Sequence, residues 1–407
     1  MAGESWLQQW RAEAADRWEA SSLPSAEEEI WRYSRIAELD LSAYHLPSSA
    51  VVPIPAAELE RLRSLRPAAL VVLINGQLAH GEIDPAAAAR GVELGPLTDP
   101  AALGSVMTTP VDVFADLNNA FCATPIALTV PRNVELEGPV VVVNGLMEAG
   151  AAVFPRLVIR AGANSEVRVL EQHFSGPGGG FVAPVVELHA DQAARVRYLA
   201  LNQLDNSVWQ IGSQVAVAER DATVTVSAVA LGGAYARTRI DARAQGRGAH
   251  VEQIAVYFGE GTQMHDFRTL QDHAAPKTTS DLLFKGAVEG HARSVYSGLI
   301  KVRKEGAGTR AFQTNRNIKL SEGAWAESVP NLDIETNDVQ CSHASSVGPI
   351  DEDQRFYLES RGVTPEVAER LIVLGFFDEV LTRLPIPEVL DPLRRAVGAK
   401  LARKDDV

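Results

Sequence analysis

The segment "ANSEVRV", residues 163–169, is a small-residue turn followed by a run in which apolar and polar side chains alternate. The same pattern returns in "AARVRYL" (193–199), "DATVTVS" (221–227) and "GAHVEQI" (248–254). The central valines are 29, 28 and 27 residues apart along the chain: Val167, Val196, Val224 and Val251. A repeat of this length predicts a solenoid, in which successive turns stack and share one core.

Two further copies of the pattern follow a longer interval, which we interpret as an insertion between turns. "HARSVYS" is centred on Val295, and "GAWAESV" is centred on Trp325, 30 residues later. Because short valine-rich runs and small turns fill 111–348, we predict a mainly β protein with a right-handed parallel β-helix core over that range. A β-sandwich is the alternative, but it favours hairpins that recur about every 8 to 12 residues.

The regions on either side of this core have helical patterns. In 1–110, the first tryptophans recur at helical spacing, and an Asn-Gly pair at 75–76 between two apolar runs predicts a β-hairpin. In 349–407, Thr364 followed by Pro365 is typical of a helix start. We therefore predict an N-terminal helical and mixed α/β region over 1–110 and a C-terminal helical domain over 349–407.

Composition restricts the partners and the compartment. The chain has 407 residues, 46% of them hydrophobic, and a formal net charge of -14, which disfavours nucleic acid and anionic membranes as partners. The N-terminus lacks the order of a signal peptide, and no apolar run approaches the roughly 18 residues of a membrane span. We expect a cytoplasmic protein, whose two cysteines, Cys122 and Cys341, are thiols.

Cys341 and His343 are the first candidate site. In a strand, alternate side chains point to the same face, so the two residues would project together and could hold a soft or borderline metal ion. Two ligands do not complete a site, and the sequence has no CxxC or HxxxH to supply more. Either the missing ligands come from another subunit, or the pair belongs to a half-buried strand end without a chemical role.

Other candidates have simpler explanations. Cys122 lies among apolar residues and is expected to be a buried thiol. The segment "HDFRTLQDH" brings together two histidines and two aspartates that could bind a metal or act as acids and bases: His265, Asp266, Asp272 and His273. We favour an exposed loop of the insertion for this segment. The sequence lacks a phosphate-binding GxxxxGK[ST] loop, a GxSxG elbow and an HExxH motif.

The stretch "DVQCSHASSVGPIDEDQRFYLESRGV" (338–363) resembles the SufB/SufD family of iron–sulfur cluster assembly proteins, and the SufD branch in particular. The resemblance extends over nearly the whole chain. It includes "LPSAEEEIWRYS" near the N-terminus, "DVFADLNNAF" with "LTVPRNVELEGPVVV" at the start of the core, "DHAAPKTTSDLLFKGAVEGHARSVYSGLIKV" and "VPNLDIETNDVQCSH". One departure is Ala344, where the family usually has a glycine after the histidine.

The resemblance implies a non-catalytic scaffold that pairs with SufB and with the ATPase SufC. In the family, SufB and SufD pair through the C-terminal strands of their β-helices, and this places His343 and Cys341 at the junction. The two residues would form a composite site with SufB for transient iron or a nascent cluster, with no cofactor stably bound in the isolated chain. A homodimer in the absence of SufB is possible, and a SufB-type subunit is the nearest alternative.

Two enzyme classes remain as alternatives. A β-helix can carry a carbohydrate-active site, although this sequence lacks an aromatic-rich face for stacking sugars. A zinc-dependent hydrolase would use the cluster from His265 to His273 and would retain stoichiometric zinc without partners.

The helix that begins near Thr364 is apolar almost all round between Val367 and Leu384. A short domain is not expected to bury such a helix completely, so we predict that it forms the docking surface for the ATPase. The predicted contact residues are Phe376, Phe377, Val380 and Leu381.

Overall fold

The computed structural model describes residues 5–48 and 50–402; residues 1–4, 49 and 403–407, within the predicted terminal regions, lie outside the described residues. The helices are α1 (Ser5–Glu19), α2 (Ala56–Arg63), α3 (Pro85–Ala89), α4 (Val113–Phe121), α5 (Glu352–Ser360), α6 (Pro365–Leu381) and α7 (Leu390–Ala402). Short 3₁₀ helices span Glu29–Trp31, Ile36–Glu38, Leu41–Ala43 and Pro387–Val389.

The strands form a parallel β-solenoid of about eight turns. They are β1 (Ala69–Ile74), β2 (Gln77–Ile83), β3 (Glu93–Pro96), β4 (Ile126–Val130), β5 (Val140–Leu146), β6 (Ala152–Val153), β7 (Arg156–Ala161), β8 (Glu166–Ser175), β9 (Gly180–Val182), β10 (Val185–Ala190), β11 (Arg195–Gln203), β12 (Val208–Ala218), β13 (Thr223–Ala230), β14 (Tyr235–Ala244), β15 (His250–Gly259), β16 (Met264–His273), β17 (Thr279–Val288), β18 (Arg293–Val302), β19 (Thr309–Lys319), β20 (Trp325–Ile334) and β21 (Val339–Gly348).

Two sheets face each other across the interior of the solenoid, which we call the lumen. Sheet 1 has the order β2-β1-β5-β8-β11-β13-β15-β17-β19-β21. Sheet 2 has the order β20-β18-β16-β14-β12-β10-β7-β4-β3, with β6 and β9 beside β12. The predicted mainly β solenoid with terminal helices is therefore confirmed. The boundaries at 110 and 348 stay predictions, and β1 to β3 of the first region are hydrogen-bonded into both sheets.

The valine repeat is a column of side chains in sheet 1. Val167, Val196, Val224 and Val251 are consecutive Cα partners on β8, β11, β13 and β15, and all four side chains are buried in the lumen. Buried apolar side chains contribute about 1.5–3 kcal/mol each. The column therefore fixes the register of the parallel strands, because a shift by one residue would turn every valine outward.

The corner before each sheet 1 strand has a recurring backbone conformation. One residue per turn has a left-handed φ: Asn164 (59°), Ala193 (56°), Asp221 (57°), Gly248 (75°), Lys277 (60°) and Gly308 (77°). Each of these residues donates its backbone N–H to a carbonyl of the next turn, as Asn164 does to Gln192 at 2.9 Å. Asn, Asp and Gly tolerate this conformation, so the corner explains the small polar residues of the repeat.

The predicted insertion is wrong, because the repeat continues without interruption. The column of Val251 goes on through Ser280, Ala311 and Cys341 in sheet 1. The copies at Val295 and Trp325 belong to β18 and β20 of sheet 2. Along the chain, strands of sheet 1 alternate with strands of sheet 2, and both sets repeat with about the same period. A search of the sequence for one repeat therefore finds strands of both sheets.

The C-terminal helices cover the outer face of sheet 1. Phe377, Val380 and Leu381 of α6 are buried in a cluster with outward-facing residues of sheet 1, and the rings of Phe258 and Phe377 lie 6.2 Å apart. Phe376 is half-buried, with its ring 4.5 Å from the Lys285 ammonium. The predicted partner contacts through these residues need correction, since three of the four side chains already pack against the chain's own solenoid.

The N-terminal segment is held against the outer face of sheet 2 by buried charges. The Arg237 guanidinium lies 3.8 Å from the Trp31 ring and donates to the Ile30 carbonyl at 2.8 Å. Arg237 is also paired with Asp266 at 2.6 Å. The segment that contains Trp31 therefore has a structural role. Within the described residues, no helix combines the length and apolar character needed to cross a membrane.

Candidate functional site

The last turn of the solenoid leaves both sheets with an open edge. Among the described residues, β21 pairs with β19 alone and β20 with β18 alone. Both strands have ten residues, and most residues of β21 are exposed. Such edges present unpaired backbone N–H and C=O groups, which favour pairing with another strand.

Cys341 and His343 both occupy lumen-facing positions of this last strand. Their Cα partners on β19 are Ala311 and Gln313, which are buried, whereas the intervening Phe312 is exposed. The prediction that Cys341 and His343 project from one face is therefore confirmed. They lie on the last strand at the mouth of the lumen, where no further strand of the described residues covers them.

The two side chains have different environments. Cys341 is half-buried against Ile300, Val302 and Ala311, and this burial raises the pKa of its thiol. His343 is exposed. A thiol with a raised pKa must lose its proton before it binds a metal ion, so metal binding at this site would release a proton.

Uncovered apolar side chains surround the pair. Leu332 and Ile334 on β20 are Cα partners of Ile300 and Val302, which are fully buried in the turn below. In the last turn the same columns are open, and Ile334 is 38% exposed. In the part of the chain that the structure describes, the core of the solenoid thus ends without a covering layer, an arrangement that is typical of an interface.

The His265 to His273 segment is β16, so the predicted exposed loop is wrong. Alternate side chains of this strand share a face, so His265 and His273 point inward with Phe267, which lies in the core between the sheets. Asp266 and Asp272 point to the outer face. Burial lowers the pKa of His265 to about 3 and that of His273 to about 4. The four groups therefore do not converge.

The partners of these four residues are structural. Asp266 pairs with Arg237 and Arg268, at 2.6 and 2.8 Å. His273 lies 2.8 Å from the hydroxyl oxygens of both Thr278 and Ser280. Within residues 5–48 and 50–402, no group of three or more His, Cys, Asp or Glu side chains is arranged to hold a metal ion.

Cys122 is buried, as predicted. Burial raises the pKa of its thiol to about 11, so it stays protonated at neutral pH. Its backbone carbonyl accepts hydrogen bonds from the Arg11 guanidinium, which ties α1 to the end of α4. This environment does not favour sulfur chemistry at Cys122.

A second exposed surface lies on the C-terminal helices. Phe356 and Tyr357 of α5, and Val367 and Leu371 of α6, are all exposed, Phe356 to 72%. A groove of about 1030 Å³ between α5, α6 and the end of sheet 1 includes Tyr357 and Leu371. Sequence reasoning missed Phe356 and Tyr357, although two adjacent aromatic residues in the short polar helix "EDQRFYLES" are a usable signal.

The fold and the open end define a class of protein: a β-solenoid with a thiol and an imidazole on its last, uncovered turn. Residues 143–376 match the family described as "SUF system FeS cluster assembly, SufBD core domain". Because the match covers more than half of the chain, the protein belongs to the SufBD family of iron–sulfur cluster assembly proteins. The resemblance found in the sequence is thus confirmed at the level of the family.

Relatives extend over most of the chain. An iron–sulfur cluster assembly SufBD family protein of Mycobacterium leprae is 31% identical over 90% of this chain and 93% of its own length. A SufBD family protein of Mycobacterium tuberculosis is 36% identical over 67% of this chain and 70% of its own length. The iron–sulfur cluster assembly protein SufD of Bacillus subtilis is 29% identical over 67% of this chain and 63% of its own length.

Proposed function

We propose that this protein is a SufD-type scaffold subunit of a cytoplasmic SUF assembly complex and has no catalytic activity of its own. It pairs with a SufB-like subunit through β20 and β21 and with a SufC-like ATPase through its C-terminal helices. The observation that carries this proposal is the position of Cys341 and His343 on lumen-facing columns of an uncovered last turn. A partner that continues either sheet brings its own side chains to the same point.

The pair acts as half of a composite site for transient iron or a nascent cluster. A neutral imidazole and a thiolate both bind iron, but two donors leave most coordination positions open. The isolated chain therefore binds iron weakly and holds no cofactor stably. Covering the last turn would add donors and exclude water, and both effects strengthen binding.

The ATPase contacts the exposed aromatic and aliphatic residues of α5 and α6. This revises the contact set predicted from the sequence, because Phe377, Val380 and Leu381 face sheet 1. Phe356, Tyr357, Val367 and Leu371 are exposed and lie on the two adjacent helices. Large aromatic side chains that become buried on binding commonly dominate the affinity of an interface.

Co-purification with tagged subunits from the same genome tests the two surfaces separately. Ile334→Asp should abolish capture of the SufB-like subunit and leave capture of the ATPase unchanged. Phe356→Asp should have the reverse effect, so each variant is the control for the other. Retention of both partners by both folded variants would contradict the proposed surfaces. Self-association through β20 and β21 would appear as a dimer that Ile334→Asp converts to a monomer.

A further inference from the structure

Gln313 lies directly beneath His343 in the sheet. The two residues are Cα partners on β19 and β21, and adjacent strands are about 4.8 Å apart, so the side chains are neighbours in the same column. Gln313 is 2% exposed, and its neighbours in the alternation, Ala311 and Asn315, are also buried. The amide therefore points into the lumen just below the open end.

The Gln313 amide is unpaired. Neither its oxygen nor its nitrogen has a hydrogen-bond partner among the described residues. Two other lumen glutamines are partly paired: Gln253 donates to the Ile240 carbonyl and Gln271 donates to the Ser280 hydroxyl, and only their amide oxygens lack a partner. A buried amide without partners is costly, so its retention here points to a partner supplied at the mouth of the lumen.

The Gln313 amide reaches across the lumen to the facing sheet. A Cβ atom on Gly298 of the facing sheet would lie 2.7 Å from Gln313 Nε2 and 2.1 Å from the Tyr296 hydroxyl oxygen. Both side chains therefore reach over the bare backbone of Gly298. The Tyr296 hydroxyl is also 3.2 Å from the Thr269 hydroxyl, which ties it to the turn below.

We propose that Gln313 is a positioning residue for His343, an inference that rests on the composite site proposed above. The two groups are not hydrogen-bonded in the structure; rotation of the exposed His343 side chain brings one ring nitrogen to the Gln313 amide oxygen, which accepts a hydrogen bond from it. This contact fixes the tautomer of the imidazole and leaves the lone pair of the other nitrogen free for iron. Gln313 thus orients His343 from inside the lumen, whereas the partner's ligands would reach the iron from the open end.

The test uses the full-length chain with ring-¹⁵N histidine and measures the tautomer of His343 by NMR. The His343 signal is identified by its loss in His343→Ala. We expect a single dominant tautomer in the natural protein and a mixed population in Gln313→Leu. Gln253→Leu, on the same column two strands deeper, is the matched control and should leave the His343 signal unchanged. An unaltered tautomer in folded Gln313→Leu would overturn the inference.

Titration with Co²⁺ as an iron substitute adds a second readout. Gln313→Leu should weaken Co²⁺ binding by about tenfold, and should have no further effect in a His343→Ala background. An equal loss in both backgrounds would mean that Gln313 does not act through His343. If His343→Ala leaves Co²⁺ binding unchanged, the ligand role of His343 fails, whereas a tautomer shift in Gln313→Leu would still support the positioning contact. Gly298→Ala, which displaces the amide, should reproduce the tautomer change if Gln313→Leu does not fold.

Discussion

The two ends of the solenoid are built from the same kind of turn but end in different ways. At the N-terminal end, β2 runs antiparallel to β1 and β3 runs antiparallel to β4, and both break the parallel stacking. All six residues of β1 are buried beneath this cover. Charged side chains of β2 protect the edge, as in the 2.7 Å pair between Arg63 and Glu82.

At the C-terminal end, none of the described residues forms such a cover. The last two strands are parallel, their apolar columns are exposed, and the following helices turn away onto the outer face of sheet 1. The open end is therefore a specific feature of the last turn, because the same chain covers the first turn at its other end with antiparallel strands. The five predictions below test this contrast in order of their expected effect on stability.

An aspartate should destabilise the protein far more at the covered end than at the open end. Val71→Asp on β1 places a charge where the side chain is 1% exposed, and it should lower the free energy of unfolding by about 4 kcal/mol or more. Ile334→Asp on β20 should lower it by less than about 1 kcal/mol. Urea denaturation of the isolated chain measures both. Comparable losses would show that the C-terminal end is closed in solution.

The same contrast applies to the C-terminal helices. Phe377→Ala removes a fully buried ring and should cost about 3–5 kcal/mol of stability. Phe356→Ala should change stability by less than about 0.5 kcal/mol and should weaken ATPase binding instead. Denaturation curves and pull-down of the ATPase distinguish the two. Normal stability of Phe377→Ala would contradict the packing of α6 on sheet 1.

The buried histidines between the two ends predict a pH dependence. The folded pKa of His273 is about 4, below the unfolded value of about 6.5, so the unfolded chain binds the extra proton between these values. Stability is complete above pH 6.5 and falls as the pH is lowered, by about 3 kcal/mol at pH 4. His273→Gln should reduce this slope, which denaturation at a series of pH values can measure. An unchanged slope would mean that His273 is not buried in its neutral form.

His343→Ala should separate function from stability at the open end. The exposed imidazole contributes little to folding, so we expect a change of less than about 0.5 kcal/mol. Complementation of a strain that lacks this subunit, scored by the activity of an iron–sulfur enzyme, should be strongly reduced. Full rescue at normal protein levels would mean that this strand has a structural role only.

The two cysteines provide the smallest and most specific contrast. Cys341→Ala should lower cluster assembly as much as His343→Ala or less, with a small effect on stability. Cys122→Ala should change stability alone, because its thiol is buried and has a pKa near 11. Both variants are compared in the same complementation assay. A loss of assembly in a stable Cys122→Ala protein would contradict its assignment as a packing residue.

The sequence alone was sufficient where the physical signal is local or periodic. The spacing from Val167 to Val251 predicts the solenoid, because each turn must place one apolar residue in the same column. The Asn75-Gly76 pair predicts the β1–β2 hairpin, since both residues have the positive φ that this turn requires. The alternation of Cys341 and His343 predicts that both side chains share one face.

Which surfaces are covered depends on contacts between elements that are far apart in the sequence. The apolar faces of α6 look unpartnered in the sequence, but the outer face of sheet 1 is also apolar and buries one of them. His265 to His273 look exposed because they are polar, yet their strand lies between two others and its charges are paired. The open last turn, with Gln313 unpaired beneath His343, depends on which strands become neighbours in space, and no local or periodic pattern in the sequence reveals the pairing of distant strands.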